Sequence, residues 1–200
     1  MENINLFGIV TETSEMSEET KKILAAEEEY RRYIENHILN VRKAYRAMRD
    51  NTYLNSNSNS DIKAALITLG EDIENHDASK WGDSEFEAYR VRWYPVTEEE
   101  KENAAKDEDW LPYKEAWEHH YHVNQHHPEY WYDEEEGVPM RDMPLHRILE
   151  MICDWESFSF IGKGNAVDYW AKARERKAKY MTPNTLAQVD RIINILKKDE

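Results

Sequence analysis

The chain has 200 residues, and 26 Lys and Arg against 41 Asp and Glu give it a formal net charge of −15. A surface this negative repels phosphate backbones and argues against a nucleic-acid groove binder. No segment approaches the roughly 18 consecutive apolar residues that a membrane span needs. Residues 1–15 lack a basic region before their short apolar run, which argues against a signal peptide. The single cysteine, Cys153, excludes an internal disulfide and fits a reducing compartment, so we expect a cytoplasmic protein.

Apolar residues at three- and four-residue steps predict an all-α fold. We expect a single domain over residues 1–200, with a core in residues 17–160 and C-terminal helices in residues 166–198. The first helix is predicted over residues 17–48, with His37 inside its apolar stripe. A low-complexity loop over residues 51–60 follows, and a second helix starts after Asp61 as N-cap and leads to His76 and Asp77.

The remaining predicted helices follow in chain order. Ser84 and Glu87 have capping-box spacing and open a third helix over residues 85–93, which Pro95 stops. The acidic stretch 98–109 is predicted to be an exposed helix or loop. Further helices are predicted from Pro112 to near Pro128, from near Pro144 onward, over residues 166–179 and over residues 183–198. No run of residues alternates as a strand would.

Three predicted helices carry a polar ligand type on or beside an apolar face: His37, His76 with Asp77, and Asp154. A histidine in a core stripe is costly unless its nitrogens are satisfied, and each residue alone fits an ordinary buried hydrogen-bonded group. Together they indicate a metal site, since imidazole and carboxylate are ligands of Mn, Fe, Co, Ni and Zn. A divalent cation also offsets the cost of burying two carboxylates.

The order of these residues resembles the HD-domain superfamily of metal-dependent phosphohydrolases. The string His76-Asp77-Ala78-Ser79 is similar to a segment of bacterial 5′-deoxynucleotidases in that superfamily, and the resemblance covers roughly residues 30–160. It implies an HD-like helical bundle with metal ligands His37, His76, Asp77 and Asp154. The whole chain also resembles a family of phage and Gram-positive bacterial proteins that has no established activity.

One residue departs from the deoxynucleotidase pattern. Those enzymes have a glutamate, proposed as an acid, where this chain has Lys80, so their proton-transfer scheme does not carry over. A lysine at this position can neutralise a substrate phosphate or carboxylate. Lys80 is therefore a candidate catalytic and substrate-binding residue, and Arg42 and Lys163 are weaker candidates for phosphate contacts.

Five of the eight histidines lie in residues 118–127. On a continuous helix, His120 and His127 share one face with Asn124, and His119 shares the neighbouring face with His126. Some HD-superfamily members bind a second metal through two histidines in this interval. The resemblance therefore implies one or two ions, with His120 and His127, or alternatively His119 and His126, as ligands of the second. A histidine-rich surface helix is the competing interpretation.

The leading functional hypothesis is hydrolysis of a small phosphorylated substrate, in particular a nucleotide, by a metal-activated water. In this hypothesis Asp77 both ligates and orients the water, Lys80 with His120 or His127 stabilises phosphate charge, and Asn124 shapes the substrate pocket. A di-iron oxygenase with the same ligands is the first alternative. A non-enzymatic acidic interaction protein of a phage type is the second, and the sequence is compatible with an oligomer.

Overall fold

The computed structural model describes residues 16–198, which contain eight α-helices and one short β-ladder. The α-helices are α1 (Glu18–Asp50), α2 (Ser60–Asp72), α3 (Phe86–Trp93), α4 (Glu98–Ala105), α5 (Leu111–Val123), α6 (Leu145–Ser157), α7 (Ala166–Ala178) and α8 (Pro183–Leu196). Strands β1 (Tyr132–Asp133) and β2 (Val138–Pro139) pair antiparallel. The prediction of an all-α fold is confirmed. Residues 1–15, on which the signal-peptide expectation rests, lie outside the described residues.

Short 3₁₀ helices connect several of these elements. They span Asn57–Asn59, Ile73–Asn75, Ala78–Trp81, Asp107–Asp109, Pro128–Trp131 and Phe158–Ile161. The first of them lies in the predicted low-complexity loop. That loop is mostly exposed, but it buries Leu54 completely. The two-strand ladder is an addition to the predicted elements, and it pairs Tyr132 with Pro139.

Local capping explains where the predicted helices begin. The Ser17 hydroxyl accepts a hydrogen bond from the Thr20 amide at 3.1 Å and caps α1. Thr182 Oγ1 accepts from the Thr185 amide at 3.1 Å, and Pro183 occupies the first turn of α8. Both arrangements satisfy amides that the first helical turn leaves free.

Two expectations about helix starts are wrong. Asp61 lies inside the first turn of α2 rather than at its N-cap, and its carboxylate pairs with Arg191 at 2.6 Å. Ser84 and Glu87 form no capping box, because the N-cap of α3 is Glu85 and its side chain makes no capping bond. A capping box forms instead at Thr97, which opens α4 in the acidic stretch.

The predicted helix from Pro112 to Pro128 also ends early, and α5 stops at Val123. The Asn124 amide group donates to the His120 carbonyl at 2.9 Å and to the Ser79 hydroxyl at 2.8 Å, while its backbone is extended. Such side-chain bonds compete with helix continuation. Residues 124–127 therefore lie off the axis of α5, and helical-face arguments do not apply to them.

The described helices bury two apolar clusters that meet along α1. The larger cluster joins the C-terminal half of α1 with α2, α6, α7 and α8, and α6 packs directly on α1 and α2. The smaller cluster joins the N-terminal half of α1 with α3 and α5. His37 lies on α1 between Ile34 of the smaller cluster and Val41 of the larger one. Polar side chains on α1 at this junction therefore face neighbouring helices rather than water.

The described helices offer no candidate membrane span, since none of those in residues 16–198 combines the required length with sufficient apolar character.

Candidate metal centre

Residues from four parts of the chain meet at the junction of the two apolar clusters. Helix α1 supplies His37, the turn after α2 supplies His76 and Asp77, and α6 supplies Asp154. Helix α5 and the segment after it supply His120, His126 and His127. His76, Asp77 and His126 are each no more than 2% exposed. Helix packing thus gathers these polar groups in a largely buried site.

Asp77 has an unusual backbone conformation that the site requires. Its φ of 54° and ψ of 25° lie in the left-handed region, between the 3₁₀ helices Ile73–Asn75 and Ala78–Trp81. Aspartate tolerates this region better than most residues, but the conformation is still costly. The turn buries Asp77 next to His76, so that both side chains reach the same centre.

The first donor group contains His37, His76 and Asp154. Asp154 Oδ1 lies 3.1 Å from His37 Nε2 and 3.8 Å from His76 Nε2. Asp77 Oδ2 lies on the same side, 3.4 Å from His37 Nε2 and 3.7 Å from His76 Nε2. All four residues that the sequence predicts as metal ligands are therefore together.

The second donor group contains Asp77, His120, His126 and His127. Asp77 Oδ1 lies 3.5 Å from His120 Nε2 and 3.4 Å from His126 Nε2. The His127 ring is centred 4.3 Å from the His126 ring and 4.8 Å from the His120 ring. Asp77 therefore presents one carboxylate oxygen to each donor group, as a ligand that bridges two ions would.

Unpartnered atoms at this centre fit a metal. His76 Nε2, Asp77 Oδ1, His126 Nε2 and His127 Nε2 are buried and make no hydrogen bond to any of the described residues. A buried polar atom without a partner costs about 1–3 kcal/mol. Within each donor group the candidate ligand atoms lie within 4.8 Å of one another. A divalent ion in each group would satisfy these atoms and offset the negative charge of the two aspartates.

Two buried glutamates orient the histidines, and the sequence predictions missed both. Glu150 Oε1 lies 3.1 Å from His76 Nδ1 and 3.5 Å from His126 Nδ1. Glu85 Oε2 lies 2.9 Å from His120 Nδ1, and this side chain is completely buried. Carboxylates on Nδ1 fix the tautomer of a metal-binding histidine and leave Nε2 free to ligate. The signal for Glu150 was present, because it precedes Asp154 by one helical turn on α6.

In the first donor group, nearby carboxylates raise the pKa values of both histidines and favour their protonated forms when no metal is bound. Burial opposes a charge on His76, but Asp77, Asp154 and Glu150 outweigh it and raise the pKa of His76 to about 10. Burial likewise opposes a charge on His37, and hydrogen bonds to Asp154 and Asp77 raise its pKa above the ordinary value. A metal at this group must therefore displace protons.

The second group holds histidines in the form that binds metals. Burial, with the nearby His126 and His120, keeps the pKa of His127 well below its ordinary value. Burial and the neighbouring His76 also lower the pKa of His126. Both rings are therefore neutral near pH 7. Neutral imidazole is the ligating form, so this group is prepared for a cation.

Lys80 lies at the edge of the centre, with its ammonium 2.5 Å from Asp77 Oδ2 and its side chain 16% exposed. Burial opposes its charge, but Asp77 outweighs the burial and raises the pKa of Lys80 above the ordinary value. Lys80 is thus a fixed positive charge. Asn124, a predicted substrate contact, instead donates hydrogen bonds to the Ser79 hydroxyl and the His120 carbonyl, so it helps to position His120.

The structure brings together the first pair proposed from the sequence, His120 and His127, and adds His126 to them. His120, His126 and His127 all meet Asp77, whereas His119 Nδ1 lies 2.8 Å from Glu85 Oε1 on the outer side of α5. Both proposed pairs, His120 with His127 and His119 with His126, rest on a continuous helix. Helix α5 ends at Val123, before His126 and His127. The structure groups His126 with His120 instead of with His119.

The weaker phosphate candidates lie apart from the two donor groups. Arg42 pairs with Glu74 at 2.7 Å and also donates to the Glu74 carbonyl. Lys163 is exposed in the segment between α6 and α7.

Cys153 is buried beside the Met48 sulfur, and burial raises the pKa of its thiol well above the ordinary value. The thiol is therefore an inert part of the core.

Comparison with known proteins places the chain in a family whose function is unknown. Residues 26–195 match the family described as "Family of unknown function (DUF5662)", and the chain belongs to this family. Neither the curated proteins nor the solved structures yield a match. Chemical evidence about the activity must therefore come from the site itself.

Proposed function

We propose that this member of the DUF5662 family is a metal-dependent phosphohydrolase that acts on a small phosphorylated substrate, in particular a nucleotide. The observation that carries the proposal is the position of Asp77 between two donor groups, each with histidine nitrogens turned toward it. The resemblance to the HD-domain superfamily, in the order of His37, His76, Asp77 and Asp154, supports the same reaction class.

The donors would hold two divalent ions in this proposal. His37, His76, Asp154 and Asp77 Oδ2 would hold the first, and His120, His126, His127 and Asp77 Oδ1 would hold the second. Bound ions supply charge stabilisation at phosphoryl oxygens and a lowered pKa for a bound water. Glu150 and Glu85 keep the imidazoles in the orientation that this ligation needs.

The side chains around the centre have distinct roles in hydrolysis. In the reaction, a water oxygen would bond to phosphorus while the bond from phosphorus to the leaving oxygen breaks; the water would lose a proton to the solvent, and the leaving oxygen would take one from the solvent. Asp77 would orient the attacking water. Burial opposes the charge of its carboxylate, but Lys80 and the histidines outweigh the burial and hold the pKa of Asp77 well below the ordinary value. Asp77 is therefore a weak proton acceptor. Lys80 keeps its charge and would donate to a phosphate oxygen in the transition state.

Metal analysis together with a phosphate-release assay tests the proposal. The full-length protein, loaded with Mn²⁺ or Co²⁺, should contain up to two ions per chain and release phosphate from at least one nucleotide in a panel. Asp77→Asn should lower both metal content and turnover. We expect a loss above about a hundredfold, since even outer partners of a metal ligand are worth about 10–100-fold.

Asp83→Asn is the matched control, because this exposed aspartate makes the same charge change six residues away, outside both donor groups. It should leave metal content and turnover unchanged. A wild-type protein that binds no metal, or that binds metal and releases no phosphate from any nucleotide tested, contradicts the proposal.

The donor chemistry also favours one alternative. Five imidazoles and two carboxylates, with a shared aspartate, equally suit a pair of iron ions that activate O₂. Iron content and a Mössbauer spectrum distinguish the two reactions. Antiferromagnetically coupled iron in protein purified without added metal, together with absent phosphate release, would favour the oxygenase.

A further inference from the structure

A large cavity opens beside the candidate metal centre. It has a volume of about 590 Å³, and His126, His127 and Asp154 form one part of its lining. The end of α7 and the residues after it form another part, with Arg176, Lys177, Lys179 and Tyr180. This volume lies within the range of about 300–1,000 Å³ that holds small ligands. A single ligand can therefore contact the metal centre and the end of α7 together.

The basic side chains of this cavity contrast with the −15 charge of the chain. Lys177 is neutralised, because its ammonium lies 2.6 Å from Glu129 Oε1. Arg176 is exposed at the cavity and forms no ion pair within residues 16–198. Lys179 lies over the Tyr180 ring at 4.5 Å. Arg176 and Lys179 thus leave positive charge at this wall, and guanidinium favours phosphate because its fork of donors matches the phosphate oxygens.

The rest of the lining suits a nucleoside. Trp117, Tyr121 and Tyr169 present aromatic surface to the cavity, and the rings of Trp117 and Tyr121 are 4.8 Å apart. Aromatic faces of this kind stack nucleobases. Glu129 also lines the cavity, and its Oε2 is buried and makes no hydrogen bond to any residue that the structure describes. This oxygen can accept a hydrogen bond from a sugar hydroxyl or a base amino group.

We propose that this cavity binds a nucleotide that carries two phosphate groups. One phosphate lies at the metal centre, the nucleoside packs against the aromatic wall, and the second phosphate pairs with Arg176. The inference rests on the proposed function for the role of the first phosphate. Arg176 and Lys179 lie outside the roughly 30–160 region that resembles HD-domain proteins, so that resemblance does not supply this second anion site.

Equilibrium binding of three nucleotides to the full-length Mn²⁺-loaded protein tests the inference. AMP carries one phosphate, whereas ADP and adenosine 3′,5′-bisphosphate carry a second phosphate in two different positions. Arg176→Gln should weaken the binding of at least one two-phosphate ligand by about three- to tenfold and change AMP binding by less than twofold. The affected ligand shows which position of the second phosphate the site takes.

Lys172→Gln is the matched control. Lys172 lies on the same helix, is exposed and lines no part of the cavity, so its neutralisation makes the same change in net charge. It should leave all three affinities unchanged. Equal weakening of AMP and the two-phosphate ligands by Arg176→Gln, an effect no larger than that of Lys172→Gln, or no nucleotide binding by the wild type would each overturn the inference.

The binding measurement separates this inference from the proposed reaction. Selective weakening by Arg176→Gln without any phosphate release would leave the anion site standing and refute hydrolysis. Phosphate release from nucleotides with identical affinities in the Arg176→Gln and Lys172→Gln variants would leave hydrolysis standing and refute the anion site.

Discussion

Replacement of Glu150 by glutamine should weaken metal binding at both donor groups. Glu150 is 3% exposed, and one of its oxygens lies 3.1 Å from His76 Nδ1 and 3.5 Å from His126 Nδ1. The other oxygen lies 2.7 Å from Arg147 Nη1. One side chain therefore orients a histidine of each donor group and is itself held by an arginine.

The size of the effect follows from the number of hydrogen bonds that the side chain can accept. Glutamine has one carbonyl oxygen and one amide group, so it cannot accept hydrogen bonds from both the imidazoles and Arg147. A hydrogen bond to a charged group contributes about 1.5–3 kcal/mol to stability. Loss of an outer partner of a metal ligand typically costs about 10–100-fold in metal affinity, which corresponds to about 1.4–2.8 kcal/mol. We expect Glu150→Gln to fall within this range.

Competition with a chromophoric chelator for Co²⁺ or Zn²⁺ measures the affinity directly. Glu156→Gln is the matched control on the same helix. Its carboxylate accepts from the Ala166 amide at 2.9 Å, and a glutamine carbonyl can keep that bond. Thermal unfolding of both metal-free variants shows whether the fold is intact.

A Glu150→Gln variant that folds normally and binds metal within twofold of the wild type would refute this reasoning. The same result would remove Glu150 from the metal centre and leave its contacts with His76 and His126 as ordinary core hydrogen bonds. An equal loss in Glu156→Gln would show that helix α6, rather than the Glu150 carboxylate, determines the effect.

Three more outcomes are expected. Metal binding at pH 7 should release at least one proton, because the raised pKa of His76 keeps its imidazole protonated without metal. Apparent affinity should therefore rise with pH, and calorimetry in buffers of different ionisation enthalpy checks this. Lys80→Met should lower the melting temperature of the metal-free protein, since it removes the cation nearest to the buried Asp77 carboxylate, and added Mn²⁺ should reverse most of that loss. Ile152→Ala, at a fully buried position, should lower the urea-derived unfolding free energy by about 2–5 kcal/mol. Ile67→Ala, at a position 67% exposed, should change it by less than about 0.5 kcal/mol, and similar effects for the two would contradict the assigned core.

The sequence by itself predicted the helices and four polar residues that meet at the candidate metal centre, His37, His76, Asp77 and Asp154. Apolar spacing is a local property of a helix, so it located α1 and α6 and placed His37 and Asp154 on or beside their buried faces. Ser17 and Thr182 cap the starts of α1 and α8 through hydrogen bonds that span only three residues, so these helix starts are also locally determined. His76 and Asp77 followed from their position after the second helix.

Only the tertiary structure decided that His126 joins the predicted pair of His120 and His127 beside Asp77. Asn124 turns the chain away from α5 through a bond to Ser79, a residue 45 positions earlier, and this turn groups His126 with His120. The contact of Glu150 with His76 spans 74 positions, and that of Glu85 with His120 spans 35. Arg176, on α7, lines the cavity beside the candidate metal centre, although it lies outside the residues that resemble the HD-domain superfamily. The apolar periodicity of one helix does not show which other helix it packs against. The packing of α1, α5, α6 and α7 in the tertiary structure decides which side chains meet.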